Sequence, residues 1–196
     1  MLDYRQLAEY LQNFPHQTIS TEGLRQAAVL VPLFRHAGRD SLLFTVRTDH
    51  LEHHSGEISF PGGAREAADR DLAETARRET EEELGIPAGA IRILGRMDDV
   101  YSVHGYHVVP YVGLVPGAEK LTPDAAEIAA VFDAPLDHFR DPEVHHTEDW
   151  SHRGRVHEVD FYRYGDHVVW GLTAAILRQF LDITARIAAD HRSIAG

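Results

Sequence analysis

The chain has 196 residues, the length of one domain, with 31 Asp and Glu against 19 Lys and Arg and a formal net charge of −12. An acid surplus of that size excludes sequence-independent nucleic-acid binding, which needs cations to displace counterions, and docking on an anionic membrane surface. With no cysteine, disulfides, thiolate catalysis and Cys-based zinc sites are excluded as well.

Leu2, Leu7, Tyr10, Leu11 and Phe14 recur at helical spacing and predict an N-terminal helix over about 3–14, ended by Pro15. The same region lacks the continuous apolar run of a signal peptide, and no stretch approaches the roughly 18 apolar residues of a membrane span. The expectation is a soluble cytoplasmic protein. Residues 25–36 and 41–47 read as strands joined by a turn at Ala37-Gly38-Arg39-Asp40. Residues 50–64 read as loop, with a short strand at Glu57–Phe60. A helix is predicted over 71–84, capped by Asp69 or Asp71 and stopped by Gly85 and Pro87. Residues 91–101 and 105–115 form an expected hairpin pair. Then come a strand at 128–132, a short helix at 135–139, a hairpin over 143–149 and 155–164, and a long C-terminal helix over about 170–189. This order predicts one α+β domain over 1–196, with a mixed sheet between helices. His53-His54 and His145-His146 read as surface histidines rather than metal ligands, and Trp170 as core at a helix start.

The informative stretch follows Phe60-Pro61-Gly62-Gly63. On a helix, Glu79, Glu82 and Glu83 share one face, with Leu72, Ala76, Thr80 and Leu84 forming a stripe beside them. Massed carboxylates repel, by roughly 0.2–0.5 kcal/mol per pair at this spacing, so something must offset them. A hard divalent cation does so, Arg78 can neutralise and orient one carboxylate, and the glycines offer carbonyls that approach a metal closely.

Arg78-Glu79-Thr80-Glu81-Glu82-Glu83-Leu84-Gly85-Ile86 resembles the second half of the Nudix box, G-x5-E-x7-R-E-U-x-E-E-x-G-U with U apolar. The first half departs from it: counting back from Arg78, Arg70 stands where the box has Glu, and Ala64 where it has Gly. One inserted loop residue restores the glycine register at Gly63 and brings Asp69 near the missing Glu. Leu43-Phe44-Thr45-Val46-Arg47-Thr48 and Gly56 to Gly63 resemble the upstream pattern of the coenzyme A pyrophosphatase branch, L-L-T-x-R-[SA]-x3-R-x3-G-x3-F-P-G-G. Thr48 replaces Ser or Ala, and Glu52 stands where that pattern has a second Arg, a reversal of charge. Residues 127–136 and Trp170 to Leu177 also resemble segments of that branch.

The resemblance implies the Nudix α/β/α sandwich and hydrolysis of CoA or acyl-CoA to 3′,5′-ADP and (acyl-)4′-phosphopantetheine. It implies Mg²⁺ or Mn²⁺ on Glu79, Glu82, Glu83 and the Gly62 carbonyl, with Arg78 orienting a carboxylate. Either a box glutamate or Glu127 would be the base, and Arg47 and Gly63 would meet substrate. The implied partner is a CoA-like nucleotide, with no nucleic acid and no membrane; a homodimer is allowed. Other Nudix substrates, namely ADP-ribose, NADH or a nucleoside triphosphate, are the alternative, and a non-catalytic ligand sensor is a third reading.

Overall fold

The computed structural model describes residues 1–48, 56–152 and 154–194. Helix α1 (Tyr4–Gln12) is capped by Asp3, whose carboxylate accepts the N–H groups of Arg5 and Gln6. It buries Leu7, Ala8 and Leu11. Strands β1 (Arg25–His36) and β2 (Arg39–Arg47) form a hairpin. Its turn is shorter than the sequence suggested. Ala37 at φ 48° and Gly38 at φ 76° make a two-residue turn of the mirror-image type that suits twisted strands. Asp40 therefore lies in β2, buried, where it accepts from Arg35, the Tyr4 hydroxyl and the Leu2 N–H.

β3 (Ile58–Ser59) pairs with β2, and the Gly-Gly segment, expected as loop, forms β4 (Gly62–Ala64) against β1. Helix α2 (Leu72–Leu84) begins at its cap Asp71 and ends at Gly85, whose φ of 70° closes the last turn. The long strand expected over 91–101 is instead β5 (Arg92–Arg96) and β6 (Val100–Ser102), both antiparallel to β7 (Tyr106–Leu114). Asp98 and Asp99 interrupt it, because their carboxylates take the N–H groups of Gln17 and Ile19 and fix the N-terminal segment. β8 (Ile128–Pro135) is longer than expected, and a 3-10 turn (Leu136–Arg140) replaces the short helix.

These eight strands form one mixed sheet in the order β3-β2-β1-β7-β5, with β4 on β1, β6 on β7 and β8 on β2. The β1–β7 pair is parallel. β1 is buried on both faces, as its near-continuous apolar run requires. Val31 and Leu33 face a core shared with α1 and with α3 (Gly171–Ile194), while Ala28 and Leu30 face α2 through Ala76 and Leu84. The result is the expected helix/sheet/helix sandwich. A second, three-stranded sheet was only partly foreseen: β9 (His145–His152), β10 (Arg155–Tyr164) and β11 (His167–Trp170), in the order β11-β10-β9. The sequence pattern leaves residues 167–169 unassigned and starts the C-terminal helix at about 170, so β11 is new. Trp170 pairs with Phe161 as a strand residue, half-buried rather than core, and Gly171 at φ 63° turns the chain into α3. Among the described residues no helix is long and apolar enough to cross a membrane.

Candidate active site

The β4 lip, the second half of α2, the end of β2 and the loop before β8 converge. The α2 stripe docks as its spacing predicts: Ala76, Thr80 and Leu84 are fully buried. Thr80, at an apolar position of the box, satisfies its hydroxyl on the Ala76 carbonyl at 2.7 Å. Leu72 packs at the margin of this core.

That docking gives the three glutamates three environments. Glu82 is 58% exposed, Glu79 17% and Glu83 4%. Glu83 is thus a buried acid, and burial pushes its carboxyl up to about 8. The Arg47 guanidinium, 3.4 Å from its Oε1, and the Gly62 N–H oppose that shift. Glu79 is likewise raised by burial, with Arg78 opposing. Desolvation, not the carboxylate repulsion argued from helix spacing, is thus the larger cost at both positions.

Two arginines organise the acids. Arg78 donates through Nε and Nη2 to Asp69 at 3.0 and 3.1 Å, through Nη2 to the Ala64 carbonyl at 3.0 Å, and through Nη1 to Glu82 at 2.9 Å. Glu79 lies 2.9 Å from the same Nη1. Asp69 is buried and also takes the Thr75 hydroxyl, and Arg78 holds its carboxyl down at about 2. Asp69 is thus the loop acid that faces Arg78, and Asp71 alone caps α2. Arg47 lies between Glu83 and Glu127, with Nη2 3.5 Å from Glu127. Glu127 is positioned by its own carbonyl on the Thr48 N–H at 2.9 Å, and Asp124 docks the same loop on the Glu83 carbonyl. Asp124 carried no signal in the sequence beyond its turn chemistry, and Thr48 was marked only by its place in the branch pattern.

The glycines are fixed by close approach. A Cβ on Gly63 would lie 2.5 Å from the Glu79 carboxylate, whereas one on Gly62 would strike the β1 backbone at Ala28 and Val29. The ladder is closed by Leu30 N–H to Pro61 and Arg65 N–H to Gln26. By alternation, Gly62 turns its own N–H and carbonyl away from β1, towards the acids.

Among the described residues no three acidic or histidine side chains already stand together as a metal cage. Arg78 draws Glu79 and Glu82 one way, and Arg47 draws Glu83 and Glu127 the other. The donor set nevertheless fits a hard cation. It is all oxygen, and Glu83 Oε2 is buried with no hydrogen-bond partner. Other polar and aromatic side chains near the site and on the second sheet are structural. Arg70 pairs with Glu74, Arg65 and Arg77 bond main-chain carbonyls, and Tyr106 lies under Arg25. His145 bonds Asp160 and His146 stacks on Phe161, while Glu52 and His53-His54 lie outside the described residues.

Comparison with known proteins identifies the family. Residues 24–169 match the model of the NUDIX domain. An uncharacterized Nudix hydrolase NudL of Photorhabdus laumondii is 41% identical over 155 residues, covering 79% of this chain and 82% of the relative. NudL of Yersinia pestis is 40% identical over 154 residues, with 79% and 77% covered. Among solved structures, a Nudix hydrolase from Alicyclobacillus acidocaldarius shares the fold at 19% identity and a TM-score of 0.51, covering 84% of this chain and 95% of that one. RenU of M. smegmatis does so at 21% identity and a TM-score of 0.50, covering 61% and 75%. A sandwich with the Arg78–Glu83 helix packed against a Gly-Gly lip, matched over most of its length, belongs to the Nudix family of hydrolases, which act on small-molecule nucleotides with divalent cations such as Mg²⁺ or Mn²⁺.

Proposed function

We propose that this Nudix hydrolase cleaves the pyrophosphate of CoA or acyl-CoA, giving 3′,5′-ADP and (acyl-)4′-phosphopantetheine, in the cytoplasm. One observation carries the reading. The segments that resemble the CoA pyrophosphatase branch share a corner with the box: Arg47, at the end of β2, stands against Glu83, and its carbonyl accepts the Gly56 N–H at 3.2 Å.

Glu79, Glu82 and Glu83, with the Gly62 carbonyl, would hold Mg²⁺ or Mn²⁺; a bound cation neutralises pyrophosphate charge and acidifies an attacking water. Arg78 holds Glu79 and Glu82 in position through its anchor on Asp69. Arg47 is a cation for a substrate phosphate, and Gly63, without a side chain, lets that phosphate approach the lip. In the hydrolysis a water oxygen bonds to phosphorus as one bridging P–O bond breaks. We assign the water's proton to Glu127, 48% exposed beside Arg47, with a box glutamate as the alternative. The variants Glu127→Gln and Glu82→Gln separate the two through their pH–rate profiles.

Glu52, where the branch pattern has Arg, favours a second reading, hydrolysis of ADP-ribose, NADH or a nucleoside triphosphate. Parallel incubation with CoA, ADP-ribose, NADH and a nucleoside triphosphate in Mg²⁺ or Mn²⁺, with product identification, decides between them. Release of 3′,5′-ADP from CoA is expected. Intact CoA beside a cleaved alternative would overturn the CoA assignment.

A further inference from the structure

Glu127 follows a break in the β2–β8 ladder. Val46 faces Ala130, but Arg47 faces Ile128, so Ala129 is an extra residue on β8. Bulges of this kind re-aim side chains beside active sites. An unbroken ladder would set Thr48 against Ile128; shifted by one residue, it sets Thr48 against Glu127. Buried Thr48 donates its N–H to the Glu127 carbonyl at 2.9 Å and its hydroxyl to the Ala126 carbonyl at 3.2 Å.

Those two carbonyls belong to the two peptide planes that flank the Glu127 Cα. Each plane is also held on its other side: the Glu127 and Ile128 N–H groups both donate to the Asp124 carbonyl, at 3.0 and 2.8 Å. A peptide unit is rigid, so fixing both planes fixes φ and ψ of Glu127 and with them the direction of its Cα–Cβ bond. Asp124 is anchored in turn. Its N–H donates to the Glu83 carbonyl at 3.1 Å, and its carboxylate accepts the Ala126 N–H at 2.9 Å. The Thr122 N–H closes on the Leu84 carbonyl at 3.0 Å. One end of the loop thus hangs on the last turn of α2, whose carbonyls lack helical partners, and the other on β2 through Thr48. Arg47, beside Thr48 in the chain, lies 3.5 Å from the Glu127 carboxylate. Residues 47 and 48 together hold Glu127 at both its carboxylate and its main chain.

We propose that Thr48 is a positioning residue for the hydrolysis, its hydroxyl holding the Ala126–Glu127 peptide so that the Glu127 carboxylate meets the attacking water. The proposal rests on the assignment of Glu127 as the base. Thr48→Val removes the hydroxyl and keeps the shape. Solvent can take the Ala126 carbonyl, which lies in an exposed loop, so the variant should fold, as a thermal melt checks. Steady-state kinetics in Mg²⁺ or Mn²⁺ use CoA or, if CoA stays intact, whichever of ADP-ribose, NADH and a nucleoside triphosphate the parent cleaves fastest. The kcat of Thr48→Val should fall about tenfold with KM within about twofold, because misplacement slows the chemical step rather than binding. Thr48→Ser, which keeps the hydroxyl, should recover kcat to within about threefold. In a Glu127→Gln background, Thr48→Val should cost less than about twofold, since the group it positions is already gone. Glu127→Gln at the parent rate would refute the base assignment, and this inference with it. With Glu127→Gln slow, three results would each overturn the inference alone: Thr48→Val at the parent rate, Thr48→Ser as slow as Thr48→Val, or equal losses from Thr48→Val in both backgrounds.

Discussion

Glu83→Gln isolates the cost of burying an acid beneath the site. The side chain is 4% exposed, and its carboxyl is shifted from 4.5 to about 8. Holding it neutral at pH 7 costs roughly 1.4 kcal/mol for each unit above 4.5, or roughly 3 kcal/mol, rising to a plateau of roughly 5 kcal/mol above pH 8. A raised carboxyl contributes its full share of stability below pH 4.5, and that share is lost as pH climbs through 8. Glutamine keeps an oxygen for Arg47 and the Gly62 N–H, forfeits part of the charge attraction, and removes the titration. In chelator at pH 7 the variant should melt about 5–10 °C above the parent, at about 2–4 °C per kcal/mol for a chain of this size. Scanning calorimetry across pH 4.5–8.5 should show that gap opening from near zero. Mg²⁺ or Mn²⁺ should narrow or reverse it, because a ligand binding the folded state stabilises the parent more. Equal melting of the two proteins in chelator at pH 8, or a gap indifferent to pH, would refute the burial argument.

The remaining expectations separate the site from its scaffold. Asp69→Asn should lose about 2 kcal/mol in urea at neutral pH, since a carboxyl held at about 2 rather than 3.8 contributes stability above 3.8 that fades as pH falls through 2; near pH 2 the two proteins should converge. The same substitution should weaken cation binding about 10–100-fold, read by titration calorimetry, through misplacement of Arg78. Glu82→Gln should cut turnover by about 10²-fold or more, with stability within about 0.5 kcal/mol, because its carboxylate is largely exposed; unchanged turnover would remove Glu82 from the site. Gly63→Ala should abolish most activity in a folded protein by displacing Glu79, whereas Gly62→Ala should cost about 1–3 kcal/mol of stability by pressing on β1. Equal effects at both glycines, on both readouts, would count against that division.

The sequence was legible where a local pattern and the tertiary context agreed. The α2 stripe, the Asp71 and Gly85 caps and the run in β1 follow from period and turn chemistry alone, and the structure keeps them. It was illegible where a distant group decided the outcome. Asp98 and Asp99 break an otherwise plausible strand because residues 17 and 19 need their carboxylates. Helical periodicity put Glu79, Glu82 and Glu83 on one face, but not that Glu83 would be sealed under β2 by Arg47. β11 was hidden because so few residues between a hairpin and a helix carry too short a pattern to read, and only pairing with β10 identifies them as strand.

The five-donor web of Arg78 has a dynamic corollary. One side chain ties together the lip carbonyl at Ala64, the far end of the loop at Asp69 and two successive turns of α2. These pieces cannot open independently, because loosening any one strands a buried charge, so they form a single cooperative unit in amide exchange. The chain between Ala64 and Asp69 is only a tether, whose length can drift so long as an acid returns to the guanidinium. The extra residue in this loop is one such drift, with Asp69 still returned to Arg78.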